Sequence, residues 1–101
     1  MDFQLRMYRV KPGLLDEWVE VFDAGPLPLR RSFGFSVLGP WIVRDENRFV
    51  WIVGHEDFAA VDKAYYDSPE RAALNPPPSQ YLDEIVTLMM EAPPASPPPA
   101  R

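Results

Sequence analysis

Phe35 to His55 reads FSVLGPWIVRDENRFVWIVGH, two runs rich in Val, Ile, Phe and Trp on either side of Asp45-Glu46-Asn47. β-branched and aromatic residues fit a pleated surface and the three polar residues are turn formers, so the segment is predicted as an antiparallel hairpin with strands at 35–44 and 48–55. A three-residue loop would centre the pairing on Glu46 and set Trp41 opposite Trp51, a cross-strand aromatic pair that helps fix register. Gly39-Pro40 interrupts the first strand. Proline gives no N–H to a ladder, so the strand is expected to bulge or lie at an edge there.

Working outward, residues 3–10 alternate with period two, Phe3, Leu5 and Met7 against Gln4, Arg6 and Tyr8, which predicts another strand. Lys11-Pro12-Gly13 breaks it, and Pro12 is placed to open a helix on which Leu14, Leu15, Trp18, Val21 and Phe22 recur at helical spacing. Gly25-Pro26 and Pro28 stop or kink that helix, and residues 29–33 add a further turn. After the hairpin, Asp57 is expected to cap a helix carrying Phe58, Val61 and Tyr65. Ser68-Pro69-Glu70 signals a short helix to about Leu74, ended by Pro76-Pro77-Pro78. Residues 81–90 fit helix or strand by pattern; β-branched Ile85, Val86 and Thr87, and a sheet that needs completing, favour strand. The order β-α-β-β-α-β predicts an α+β, ferredoxin-like domain with a four-stranded antiparallel sheet over residues 1–91, followed by a Pro-rich tail at 92–101.

Composition narrows the possible chemistry. The chain of 101 residues carries 10 Lys and Arg against 15 Asp and Glu, a formal net charge of -5, which argues against a nucleic-acid partner, since phosphate contacts need a basic patch. The pair Arg30-Arg31 is expected to be solvated. No cysteine is present, which excludes a disulfide framework, a thiolate metal site and a Cys nucleophile, and fits a cytoplasmic location. The apolar runs are too short for a membrane helix of about 20 residues, so no membrane partner is expected. A single histidine cannot build a closed zinc site, and no metal or cofactor is expected. No Gly-rich phosphate loop or Ser-His-Asp arrangement is visible.

A sheet of this type carries its helices on one face. Trp41, Trp51, Phe49, Val53, Ile85 and Met89 are too many large apolar side chains to divide between one helix layer and water, which predicts that the second face is buried in a homodimer.

Leu5-Arg6-Met7-Tyr8 followed by Lys11-Pro12-Gly13-Leu14, then Phe33 to Gly39 with Trp41, then Phe49 to Val53 leading into Glu56-Asp57-Phe58, resemble in order and spacing the NIPSNAP family of the dimeric α/β barrel superfamily. The resemblance spans roughly residues 3–91. It implies two sheets paired into a barrel and a cleft between sheet and helices in each subunit. The implied function is that of an uncharacterised protein binding a small apolar or aromatic molecule in that cleft. The alternative it implies is a cofactor-independent monooxygenase acting on a phenolic or quinol-like substrate. The Asn-Trp-His set of haem-degrading relatives has no match at Asn47 or Asn75.

Two residues stand out as catalytic candidates. His55 ends the third strand and suits a general base or a haem ligand, or else a surface or capping role. Arg6 suits the carboxylate or phenolate of a substrate; otherwise it pairs with Asp83 or Glu84. Tyr8, Trp51 and Tyr65 are the substrate-binding candidates, as walls of an aromatic pocket, with plain core packing as the alternative.

Overall fold

Period-two alternation builds the sheet. The computed structural model describes residues 1–93. In β1 (Asp2–Val10), Arg6, Tyr8 and Val10 are buried, while Phe3, Leu5 and Met7 point to the other face. β2 (Ser36–Val43), β3 (Arg48–His55) and β4 (Leu82–Met90) complete a four-stranded sheet in the order β2-β3-β1-β4, with every neighbouring pair antiparallel. This is the ferredoxin-like α+β arrangement expected from the sequence. Of the predicted tail, only Ala92 and Pro93 fall among the described residues.

The helices follow their punctuation with two exceptions, Pro12 and the Asp57 side chain, which caps nothing. Pro12 does not open a helix. Leu14 N–H donates to Lys11 O at 3.1 Å and Gly13 has φ +81°, so Pro12 and Gly13 form a tight turn before α1 (Leu15–Ala24) begins. A positive φ at the third position of such a turn is what glycine supplies. Pro26 is the first residue of α2 (Pro26–Ser32), where its missing N–H would have been unpaired anyway. α3 (Phe58–Asp67) runs into Ser68, whose Oγ donates to Tyr65 O at 2.7 Å and accepts from Arg71 N–H at 3.1 Å, capping α4 (Pro69–Ala72).

The hairpin differs from its predicted register. Arg44–Glu46 form a 3-10 turn and Asn47 adopts the left-handed conformation (φ 56°, ψ 40°), so the loop holds four residues and Val43 pairs with Arg48. Trp41 therefore faces Val50, not Trp51, and the two tryptophans lie on opposite faces of the sheet. The register shifts between Leu38 and Trp41, which is the bulge that Gly39-Pro40 predicts.

One face of the sheet meets the helices. Phe49, Trp51 and Val53 interlock there with Trp18, Phe22 and Tyr65, and the Phe22 ring lies 4.8 Å from Phe49 and 4.9 Å from Trp51 in edge-on contacts. Among the described residues, no layer covers the other face. Leu5 pairs with Ile52 and Leu88, Met7 with Val50 and Val86, and Trp41 sits beside Val50. Trp41 is 53% exposed and Leu88 51%. Ile85 and Met89 alternate onto the helix side but stand at the β4 edge, where they too stay exposed.

Candidate functional site

The helix face of the sheet also carries charge. β1 places Arg6 and Tyr8 two residues apart on that face, and the register sets Trp51 directly across from Arg6. α2 brings in Arg30 from above, α3 brings Tyr65 and Tyr66, and α4 brings Arg71. Together with Trp18 and Ile85 they line a cleft of about 150 Å³ between sheet and helices.

Arg6 is 5% exposed, and its guanidinium meets only neutral acceptors. Nε donates to Tyr8 Oη at 2.8 Å, Nη1 to Gln4 Oε1 at 2.7 Å and Nη2 to Tyr66 Oη at 2.7 Å. The predicted alternative, an ion pair with Asp83 or Glu84, is not formed: Glu84 is shared by Arg9 and Arg48 at the end of the sheet. Burial works against the charge of Arg6, but the oxygens of Tyr8 and Tyr66 hold it above the ordinary arginine value. Burial likewise pushes the Tyr8 hydroxyl up, against the opposing pull of Arg6. The indole N–H of Trp51 leans on Tyr8 without reaching hydrogen-bonding geometry.

Arg30 is 1% exposed, which overturns its expected place on a solvated face. Its Nη1 donates to Asp62 Oδ1 at 2.6 Å and its Nη2 to Tyr66 Oη at 3.1 Å, while its Cζ stands 3.9 Å over the Tyr65 ring. A buried guanidinium needs such a carboxylate and such a ring, because its desolvation is costly unless paired. Arg71 lies over Tyr66 at 5.4 Å and adds a third positive charge at the cleft.

Of the five residues singled out from the sequence, Arg6, Tyr8, Trp51 and Tyr65 line this cleft and His55 does not. His55 Nδ1 accepts the Asp57 N–H at 2.8 Å and its ring meets Phe35 at 5.3 Å. It thus orders the turn into α3, the task expected of Asp57, whose carboxylate caps nothing. Tyr65 is a platform for Arg30 more than a surface of the cleft. The sequence reading missed Arg30 and Asp62 as site residues. A signal was present: Asp62, Tyr65 and Tyr66 fall at i, i+3 and i+4 on α3, one helix face, and Pro26 and Arg30 fall one turn apart on α2. Among the described residues, no group of three or more Asp, Glu or His side chains is placed to hold a metal ion.

No family model matches the chain, and no curated protein matches it. Solved structures do. An uncharacterized NIPSNAP domain protein from Burkholderia xenovorans superposes with a TM-score of 0.84 at 19% identity, over 97% of this chain and 100% of that one. A NIPSNAP family protein from Agrobacterium tumefaciens gives a TM-score of 0.83 at 13% identity, over 95% and 96%. An antibiotic biosynthesis monooxygenase gives 0.65 at 16% identity, over 93% and 100%. At these identities the likeness is one of architecture, and function is not carried by it. The chain therefore shares the ferredoxin-like fold of the NIPSNAP-domain proteins.

Proposed function

We propose that this chain is a homodimer in which each subunit binds one small aromatic molecule in the cleft between sheet and helices. The cleft itself carries the reading: about 150 Å³, walled by Tyr8, Trp18, Trp51 and Tyr66, with polar atoms at fixed positions. A cavity of that volume holds a single six-membered ring, and an apolar wall with a few convergent polar groups is what a small-molecule site requires. Dimerisation rests on the open face of the sheet. Four strands about 4.8 Å apart and about eight residues long span roughly 19 by 26 Å, or roughly 500 Å² in projection. The accessible surface is larger than the projection and approaches the about 800 Å² per partner of a standard interface. A second copy of this face supplies the matching apolar surface without a new partner.

The catalytic alternative, oxidation of a bound phenol or quinol without a cofactor, has less behind it. His55 does not line the cleft, so proton transfer there would fall to Tyr8 or Tyr66. Calorimetric titration of the purified protein with phenol, benzoate and naphthalene-sized compounds tests the binding reading. One-to-one binding of a single-ring compound per subunit at millimolar Kd or tighter, about -4 kcal/mol or better, is expected, with the fused rings excluded by size. No heat from any single-ring compound would overturn it.

A further inference from the structure

Around the cleft, hydrogen-bond donors outnumber acceptors, and positive charges outnumber negative ones. Arg6 and Arg30 are buried and Arg71 stands at the cleft, while among the described residues Asp62 is the one carboxylate bonded to any of them, and its bond is to Arg30. The charge of Asp62 reaches Arg6, but no carboxylate is hydrogen-bonded to it. Its guanidinium has five N–H groups, of which three are used on Tyr8, Gln4 and Tyr66, so two remain. Tyr66 Oη accepts from both Arg6 and Arg30, which fills its two lone pairs, so its own proton must be donated outward. Among the described residues, the buried side-chain polar atoms without a partner are Trp18 Nε1 and Trp51 Nε1. Both are donors, and both belong to side chains that line the cleft.

Each of these groups lacks an acceptor, and none of them lacks a donor. Leaving a buried donor or an uncompensated buried charge unmatched is costly, and the same groups become favourable once an anion arrives. Planarity and the two free N–H groups of Arg6 suit a carboxylate, which guanidinium receives through paired bonds.

We propose that the occupant of the cleft is a single-ring aromatic carboxylate, its ring against Tyr8 and Trp51 and its carboxylate received by Arg6 and the Tyr66 hydroxyl. This rests on the reading of the cleft as an aromatic-ligand site and adds the charge of the ligand. The acidic chain as a whole repels such a ligand, so the three arginines supply the local field that admits it.

Calorimetry on the full chain separates the two readings. Benzoate is compared with benzamide, which has the same ring and shape without the charge, and with inorganic phosphate. Benzoate is expected to bind roughly 10–100-fold more tightly than benzamide, the range for hydrogen bonds to a charged group. Tyr66→Phe keeps the ring and removes only the hydroxyl; it is expected to weaken benzoate several-fold and leave benzamide nearly unchanged. Arg6→Gln is expected to erase the preference, and because that variant risks misfolding, Tyr66→Phe carries the test alone if needed. Equal affinity for benzoate and benzamide would overturn the carboxylate and leave the aromatic cleft standing. Phosphate binding as tightly as benzoate would overturn it in favour of a plain inorganic-anion site. Silence from benzoate and benzamide would overturn this proposal, and the aromatic reading beneath it falls as well only if phenol also gives no heat.

Discussion

Arg6 and Arg30 are guanidinium groups removed from water side by side, and their neighbours treat them differently. Arg30 has Asp62 and the Tyr65 ring, a complete set of partners that fixes α2 against α3. Arg6 has a carboxamide and two phenols, good acceptors without charge. The phenols carry a pH consequence. Burial pushes the Tyr8 hydroxyl above the ordinary tyrosine value against the pull of Arg6, and it does the same to Tyr65 against Arg30. A group whose pKa is raised by folding keeps its proton in the native state where the unfolded chain has lost it. Its contribution to stability is therefore whole below about pH 10 and falls as pH rises above that. Urea unfolding is expected to give a lower midpoint at pH 10.5–11 than at pH 8, with phenolate absorbance from Tyr8 and Tyr65 appearing only as the protein unfolds. An unchanged midpoint would contradict neutral buried phenols. Sequence reasoning reached Arg6, Tyr8, Trp51 and Tyr65 because strand alternation and helical spacing place them on inward faces. It passed over Arg30 because an Arg-Arg pair normally faces solvent, and only the tertiary position of Asp62, 32 residues away, makes burial tolerable.

Elements were more legible than their pairing. β3 and the start of α4 were readable to the residue, since a run of Phe, Val, Trp and Ile admits few alternatives and Ser-Pro defines a cap and a first turn. Register was not readable, because it depends on how many residues the loop absorbs. Asn47 decides that. Asparagine tolerates the left-handed region, and its side-chain amide donates to the carbonyls of Val10 and Lys11, tying the hairpin to the end of β1. Replacing it with alanine forfeits those bonds and forces a Cβ-bearing residue without a polar side chain into φ 56°, so Asn47→Ala is expected to cost about 2 kcal/mol. Asn47→Gly keeps the backbone freedom and is expected to cost about 1 kcal/mol. Denaturant midpoints of the two variants should fall in that order, and wild-type stability in both would show that the loop does not hold the register.

At the scale of the whole molecule, only Trp41 of the six large apolar side chains singled out in the sequence stands on the open face. Phe49, Trp51 and Val53 belong to the core, Ile85 and Met89 lie on the helix side at the β4 edge, and the open face takes its apolar character from Trp41 together with Leu5, Met7 and Leu88. That partition follows the register and so was hidden with it. On a monomer, Leu88→Lys at a half-exposed site would change stability by no more than about 0.5 kcal/mol. Across a dimer interface it buries an unpaired charge, so sedimentation equilibrium at micromolar concentration is expected to show twice the chain mass for the wild type and one chain mass for the variant. A wild-type monomer under those conditions would remove the dimer. The bulge at Gly39-Pro40 bears on what else this sheet can join. β2 and β4 are its two edges, and an unbroken edge is a template on which strands of other molecules add. Endless addition needs both edges free. Pro40 has no N–H to offer and the register slips beside it, so β2 is a blunt end. Pairing through β4 alone joins two molecules and stops, and the chain carries its own barrier to fibre growth.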